Sequence, residues 1–491
     1  MFWEAFVGGS YMTRSPNVDL EATINLYTET VESNGNAKKK NLYGTPGLVP
    51  QVTAGTSVCR GMFSQDGRHW TVIGNTVYEV FVSGLPSALV VTLTSRGTVA
   101  TDGLKVYFAS NGLGGNQLAI SSAGSLYILN LVTNVLSAAV SLPLTNAAGP
   151  VAFINTYFIL VEVNTLKVWF SGFEDGTAWD GLDFFARSNT SDNVVGIAVL
   201  HDIIRVWGSK TSEVFYNVGE ADYPFLPYQG SLSEDGAINA AACGVQGEYF
   251  VWLSKNQWDV VRAMRAGQGE PQVISTPPVE VALASYPLVT DAEVWVYEQE
   301  GHSFAIWHFP TADFSWCWDA RESQWHQRLR WQASDSTWHQ WRARGFCAPG
   351  SQVILCGDYL TGNIYTLSLD RFDDNCGIIR RLRRAPYLSD ENQWLFLDQV
   401  ELGCQSGVGT ATGTGVNALV NMRISRDSGN TYSPTRQASM GVAADYDARA
   451  VWRNCGRVRL DRMVIECSIT DPVRVVWTGL WLRPSQGSGQ L

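Results

Sequence analysis

Lysine is scarce in this chain of 491 residues, where 7 lysines stand against 28 arginines. Charged residues of both signs make up 16% of the sequence, whereas about 25% is typical of soluble domains. The formal net charge is −11, which argues against a general nucleic-acid coat because such proteins are basic. The hydrophobic fraction of 45% provides enough apolar side chains for a large core and excludes general disorder.

The sequence patterns of common catalytic and metal sites are also missing. The nine cysteines form no C-x-x-C pair and no zinc spacing, so we predict reduced, mostly buried thiols made in a cytoplasm. The six histidines form no H-E-x-x-H pattern, and neither a G-x-x-x-x-G-K-S/T loop nor a G-x-S-x-G elbow occurs. We therefore predict that the protein is not an enzyme and has no catalytic residue, metal site or cofactor.

One long segment, from Val106 to Val161, lacks charged residues altogether and is long enough to cross a membrane. Six asparagines, several glycines and Pro143 interrupt it. This composition favours buried strands separated by turns over an apolar helix. We predict no membrane span.

Aromatic residues and glycine are plentiful, with 19 Trp, 18 Tyr, 20 Phe and 46 Gly. Short apolar runs, such as residues 105–110 and 203–208, are separated by turn residues, which is typical of β-hairpins. A strand–turn–strand unit recurs every roughly 40–55 residues, a period that suits the blades of a β-propeller. We predict an all-β fold in which residues 51–375 form a propeller of about six blades. The unit recurs near residues 59–81, 97–131, 149–170, 196–217, 243–262, 292–318 and 340–367.

The two ends of the chain do not show the blade pattern. Residues 1–50 are rich in Pro, Asn and Gly, and we predict that they form an N-terminal platform segment. From Cys376 the strand-like runs are spaced differently, which indicates a separate antiparallel sandwich-like platform domain over residues 376–491. Its predicted strands are residues 393–404, 419–426, 456–462, 463–468 and 472–482.

Positive charge is concentrated in this last part of the chain. Residues 376–491 hold 14 arginines, no lysine and 10 acidic residues, a net of +4, so the remainder carries −11 − 4 = −15. Arginine forms bidentate pairs with carboxylates and phosphates, which suits a partner surface, although a solvated or internally paired face is an equally open interpretation. The candidate adaptor or subunit interface consists of Arg380, Arg381, Arg383, Arg384, Arg449, Arg453, Arg457 and Arg459.

A carbohydrate-active propeller is the alternative that the residues leave open. Residues 425–432 (SRDSGNTY) resemble an aspartate-box turn, which is a folding device of β-hairpins. Hydrolysis of a glycoside would need two carboxylates facing each other across a cleft, and sequence neighbours such as Asp180 and Asp183, or Glu234 and Asp235, do not establish that geometry. Eight tryptophans between residues 295 and 341 would serve either as a sugar-stacking platform or as packing between blades.

Patches along the whole chain resemble the tail nozzle proteins of short-tailed bacteriophages, also called packaged-DNA-stabilisation proteins. Cys455 stands where an apolar residue is expected, a small departure from that family's closing segment. The patches are residues 15–27 (SPNVDLEATINLY), 43–48 (YGTPGL), 168–179 (VWFSGFEDGTAW), 205–216 (RVWGSKTSEVFY), 236–243 (GAINAAAC) and 451–459 (VWRNCGRVR).

The resemblance implies a structural virion protein, made in the cytoplasm of a host bacterium, that forms a hexameric tube below the portal and its adaptor ring. Such a tube would retain packaged double-stranded DNA, conduct it during ejection and carry tailspikes or tail fibres. An acidic lumen would keep DNA from sticking, since phosphates would meet like charge. The arginine-rich end would then provide the subunit or adaptor contacts.

Overall fold

The computed structural model describes residues 2–14, 19–31, 39–84, 88–220, 223–256, 258–350, 352–387 and 393–484. The first four residues of the patch at 15–27 therefore lie outside the described ranges. Within these ranges the chain is almost entirely β, and no helix is long and apolar enough to cross a membrane. The helices are a 3-10 turn at Glu4–Phe6, α1 at Gly112–Gly115 and α2 at Pro277–Ser285.

The N-terminal strands do not form a unit of their own, because each pairs with a strand from a distant part of the chain or leads into such a pair. They are β1 Phe2–Trp3, β2 Tyr11–Met12, β3 Leu20–Ile24, β4 Leu26–Val31, β5 Lys39–Gly44 and β6 Gly47–Thr53.

Seven antiparallel sheets follow and form the propeller. Each of the seven sequence recurrences corresponds to one sheet, so the described part of the chain has one blade more than the predicted six. The first blade contains β7 Cys59–Gln65, β8 Arg68–Ile73, β9 Thr76–Ser83 and β10 Val90–Thr98; the second contains β11 Tyr107–Ser110, β12 Gln117–Ser122 and β13 Ser125–Asn130; and the third contains β14 Ala148–Ile154, β15 Tyr157–Glu162, β16 Lys167–Phe170 and β17 Phe184–Ala186. The fourth blade contains β18 Val194–Leu200, β19 Ile203–Gly208, β20 Ser212–Asn217 and β21 Phe225–Pro227, and the fifth contains β22 Cys243–Gln246, β23 Tyr249–Lys255, β24 Val261–Ala266 and β25 Gln272–Val273. The sixth blade contains β26 Glu293–Gln299, β27 His302–Phe309, β28 Phe314–Asp319 and β29 Gln324–Gln327; an inserted hairpin, β30 Leu329–Gln332 and β31 Thr337–Gln340, follows it; and the seventh blade contains β32 Ala343–Gly350, β33 Val353–Asp358 and β34 Asn363–Ser368.

The propeller closes through a strand from the other end of the chain. The first strand of each sheet lies innermost, and these seven inner strands contact one another in a complete ring. The seventh sheet takes its outer strand from β6, which pairs antiparallel with β34 so that Leu48 lies opposite Leu367. Strand β6 crosses the boundary predicted at residue 50, so a strand from the N-terminal part of the chain completes the seventh blade.

The remaining strands complete a two-sheet sandwich, which we call the platform. One platform sheet has the order β4-β5-β43-β38-β41, with β1 on β43. The other, β3-β37-β42-β39-β40, is continuous with the sixth blade because β3 pairs in parallel with β29. The C-terminal strands are β35 Asp373–Asp374, β36 Gly377–Ile378, β37 Arg381–Arg384, β38 Trp394–Cys404, β39 Leu419–Ser425, β40 Arg436–Ser439, β41 Ala450–Arg459, β42 Val464–Ile469 and β43 Val476–Pro484.

One apolar core fills the platform and joins both chain ends. Phe6 and Leu42 from the N-terminal segment pack with Met422, Trp452 and Trp477 from the C-terminal part, and all five are buried. Along β41, Ala450, Trp452, Cys455 and Val458 are buried in this core, whereas Arg453 and Arg457 are exposed on the outer surface. The platform is thus a composite unit fixed to one side of the propeller at the sixth blade.

Candidate interaction surfaces

The first four arginines of the predicted set, Arg380, Arg381, Arg383 and Arg384, lie on or next to an interior strand of the molecule. Strand β37 runs between β3 and β42, so its neighbours cover it on both edges. Arg381 and Arg383 are only 1% and 0% exposed. Arginine is almost never fully buried unless its guanidinium is paired, so the partners of these side chains define what they do.

Arg383 fastens the N-terminal segment to the platform. Its guanidinium donates to the carbonyl oxygen of Phe6 at 2.5 Å and to that of Gly9 at 2.7 Å. It also donates to the hydroxyl of Thr23 at 2.8 Å and forms an ion pair with Glu21. A planar fork with five donors is suited to several acceptors in fixed positions, which a lysine could not satisfy.

Arg381 occupies a space next to Gly44 in the junction between propeller and platform. A Cβ atom on Gly44 would lie 2.6 Å from the Arg381 Nε, and the guanidinium donates to the carbonyl of Thr45 at 3.2 Å. Burial lowers the pKa of Arg381 to about 10, an effect that Asp374 opposes. Burial also disfavours the charged form of Asp374 and raises the pKa of its carboxyl group to about 7, although the positive charges of Arg381 and Arg342 lower it.

Arg384 and Arg380 are also engaged within the chain. Arg384 and Arg423 share the buried carboxylate of Glu466, with Nη2 of Arg384 at 2.9 Å from its Oε2. Burial raises the pKa of Glu466, but the two guanidinium groups outweigh this effect and hold it below its usual value. Arg380 stacks on the hairpin tryptophans, 4.4 Å from the ring centre of Trp331 and 5.6 Å from that of Trp338. The first four arginines thus all have partners within the chain, and an interface role for the predicted set stays a prediction.

The other four arginines of the predicted set, Arg449, Arg453, Arg457 and Arg459, lie along the outer surface of the platform. Arg449 pairs with Glu401 through two bonds of 2.7 and 2.5 Å, and Arg459 pairs with Asp461. Arg457 lies 4.0 Å from the ring centre of Trp394. Arg453 makes no hydrogen bond or ion pair through its side chain with any described residue, so it is available to a partner.

Three further residues of this surface were not in the predicted set. Trp394 and Phe396 on β38 are each 56% exposed, and Arg483 on β43 lies beside Gln399, as Arg453 does on the opposite side. The signal was the run WLFL at 394–397, whose aliphatic residues face the core while its aromatic residues face outward. We call this surface the arginine face, which consists of Trp394, Phe396, Arg449, Arg453, Arg457, Arg459 and Arg483.

A groove of about 560 Å³ adjoins the arginine face beside the edge strand β41; its lining includes Arg436, Arg449, Arg453 and Arg483. Arg436 donates to backbone carbonyls of Arg453 and Asn454. Arg426 donates to the carbonyl of Cys455 at 2.8 Å. Guanidinium groups thus occupy the free edge of β41, which discourages pairing with a strand of another chain.

The propeller carries the opposite charge on one of its two faces. Because neighbouring strands of a blade are antiparallel, the loop between its first and second strands and the loop between its third and fourth strands lie on the same side of the propeller. We call this side the lower face and the other side the upper face. The described residues of these loops hold eleven carboxylates and, among basic residues, only Arg321 and the exposed His201. The carboxylates belong to Asp66, Glu174, Asp175, Asp180, Asp183, Asp202, Glu220, Glu248, Glu270, Glu300 and Glu322.

The residues considered for carbohydrate chemistry lie in three separate parts of the molecule. Six of the eight clustered tryptophans are buried, and Trp307 and Trp318 each pack 5.4 Å from Trp325. Asp180 and Asp183 lie in one surface loop, where Asp180 accepts a bond from the backbone of Leu182. Glu234 and Asp235 line a separate pocket of about 870 Å³ on the upper face. Packing accounts for most of the tryptophan cluster.

Two family models match almost the whole chain. The first, described as bacteriophage P22 Gp10, β-propeller, matches residues 8–371, and the second, bacteriophage P22 Gp10, β-sandwich, matches residues 380–483. The chain belongs to the P22 Gp10 family. The predicted resemblance to tail nozzle and DNA-stabilisation proteins of short-tailed phages is thereby confirmed, as is the predicted all-β fold of a propeller and a sandwich. The protein has a structural role in the phage tail.

Three solved structures match this P22 Gp10 family member at low sequence identity. The WD40 repeats of RRP9 are 10% identical over 66% of this chain and 99% of that chain, with a TM-score of 0.41. The N-terminal domain of Nup159 is 9% identical over 71% of this chain and 98% of that chain, with a TM-score of 0.40. The extracellular domain of BT4673, a putative one-component system from B. thetaiotaomicron, is 10% identical over 76% of this chain and 45% of that chain, with a TM-score of 0.41. No curated protein sequence matches significantly.

In this P22 Gp10 family member, side chains bridge the axis of the propeller. Lys105 precedes the second blade and donates across the axis to the carbonyl of Val294 at 2.9 Å, while its Nζ lies 4.3 Å from the ring centre of Trp295. Burial lowers the pKa of Lys105 to about 8, although Glu293 opposes the shift. Glu293 in turn pairs with Arg344 of the seventh blade. These contacts close the centre of the propeller, so a DNA duplex cannot thread it.

Proposed function

We propose that six copies of this chain form the tail nozzle below the portal and its adaptor ring. The nozzle retains packaged DNA after filling, conducts it during ejection and carries tailspikes or tail fibres. The partners are further copies of the chain, the adaptor ring, a tailspike or fibre and double-stranded DNA. The protein is made in the host bacterial cytoplasm and acts in the virion without catalysis.

The acidic lower face is the observation that carries the DNA-conducting part of this proposal. Eleven carboxylates with one nearby arginine produce a surface that repels phosphate, so DNA would slide along it with little adhesion. Because the propeller axis itself is bridged, we place this face, apart from its third-blade loop at residues 171–183, toward a lumen enclosed by several copies. Within each copy we assign residues 51–375 and the start of strand β6 to the propeller, and the rest of residues 1–50 together with residues 376–491 to the platform.

Assembly and DNA retention test the proposal directly. The purified chain should form a six-fold ring in negative-stain electron microscopy and show the matching mass by native mass spectrometry. Phage particles assembled without the protein should lose their DNA to added nuclease, and adding the protein back should restore protection. A chain that remains monomeric with the adaptor present, or particles that keep their DNA without it, would contradict the proposal.

A further inference from the structure

We infer that the arginine face of one copy binds the acidic loop of the third blade, residues 171–183, on the next copy. This inference rests on the proposed ring and adds to it a specific contact. The two surfaces have opposite charge, each carries exposed apolar side chains, and the units that bear them are attached on nearly opposite sides of the propeller.

The arginine face has the composition of a protein-binding surface. Trp, Phe and Arg are enriched at interfaces, and Trp394 and Phe396 remain half exposed with Arg457 stacked against them. Arg453 has no side-chain partner among the described residues. A protein that presents both carboxylates and apolar side chains would satisfy the aromatic rings and the free guanidinium together.

The third-blade loop presents those groups. It contains four acidic residues and no basic one, and Phe173 and Leu182 are 69% and 84% exposed. Partial burial and the neighbouring Asp180 carboxylate raise the pKa of Asp183, a repulsion that an arginine from another chain would relieve. The backbone of Glu174 bonds to Thr156 at 2.8 Å, so the loop is held in place before it meets a partner.

The positions of the two surfaces fit a closed ring. The platform is attached at the sixth blade and the loop belongs to the third, so two blades separate them in one direction around the propeller and three in the other. A contact between two different surfaces on opposite sides of a molecule is heterologous, and such contacts generate rings when the rotation closes.

DNA is the other class of ligand that guanidinium groups attract. The arginine face also carries the carboxylates of Glu401 and Asp461, which already pair with Arg449 and Arg459. These carboxylates would repel phosphate, and exposed Trp394 and Phe396 would gain nothing from a duplex backbone. The observations therefore favour a second copy of the chain.

Paired charge reversals test the contact. The face variant carries Arg453→Glu and Arg457→Glu, and the loop variant carries Glu174→Lys and Asp183→Lys. Each alone should lose the ring species in native mass spectrometry because both surfaces then have the same charge. An equimolar mixture should recover even-numbered rings with alternating copies, since each reversed face then meets a reversed loop. The control Glu220→Lys with Glu270→Lys alters exposed carboxylates of other lower-face loops and should leave the ring intact.

The outcomes separate this inference from the proposed nozzle. Unchanged circular dichroism spectra would show that the variants fold. Rings formed by the face variant alone, or no recovery in the mixture, would overturn the inference and leave the nozzle standing. If the face variant forms rings but loses affinity for a short DNA duplex, the face binds phosphate and the inference fails. A wild-type chain that never forms rings would overturn the proposed function itself.

Discussion

Two arginine groups that look alike in the sequence have opposite surroundings in the fold. Strand β37, with Arg381 and Arg383, is an interior strand enclosed by β3 and β42, whereas β41, with Arg453 and Arg457, is the edge strand of its sheet. Strand position therefore decides whether a guanidinium joins parts of one chain or faces a partner. Charge clusters in a sequence identify arginine-rich strands but do not reveal which of them lie at an edge.

The largest expected effect comes from Arg383→Ala in the interior group. The substitution removes the bonds to Phe6, Gly9 and Thr23 and leaves Glu21 without its ion pair. Breaking one partner of a buried pair costs about 3–5 kcal/mol of unfolding free energy. Urea denaturation should show this loss together with faster proteolysis of the N-terminal segment.

Arg383→Lys is the matched control for charge. It keeps the positive charge but offers three donors on a single nitrogen, so it should recover only part of the lost stability. Full recovery would mean that charge alone, without the guanidinium geometry, holds the segment.

Much of the fold was predictable from local patterns, because each blade is made of consecutive hairpins. The seven recurrences and the change of pattern near Cys376 both follow from short-range sequence patterns. Closure of the propeller by β6 and the enclosure of β37 were not predictable, since both depend on pairing between residues hundreds of positions apart.

The scarcity of lysine also has an explanation that composition alone did not provide. Six of the largest fully buried side chains are arginines, and Arg60, for example, bonds to three backbone carbonyls and to Asp102. One guanidinium satisfies several acceptors at once, which an ammonium group on a flexible stem does less well. Arginine thus has an internal role here in addition to the outer one that the sequence indicated.

A smaller effect is expected from Glu466→Gln, which separates Arg384 and Arg423 from their shared carboxylate. Because both arginines retain some access to water, the loss should be about 2 kcal/mol. The two guanidinium groups hold the pKa of Glu466 below its ordinary value of 4.5, so the stabilising contribution is present above that pH and is lost as the pH falls through the lower folded value.

The pH dependence distinguishes this carboxylate from general acid denaturation. Denaturation midpoints should be measured near neutrality and well below pH 4.5, and the difference between wild type and variant should shrink in acid. A constant difference at all pH values would mean that the variant disturbs packing without removing a charge interaction.

The smallest effect is expected from Arg457→Ala on the arginine face, and it completes the comparison. Arg457 stacks on Trp394 at the surface, where an exposed cation–π contact contributes about 0.5–1 kcal/mol and most substitutions change stability by less than about 0.5 kcal/mol. The urea midpoint should therefore barely move, while an aqueous quencher such as acrylamide should reach Trp394 more readily. Trp394→Phe provides the matched control that removes the quenched signal. A loss of stability comparable to that of Arg383→Ala would mean that the outer group also holds the chain together, and the contrast between edge and interior strands would fail.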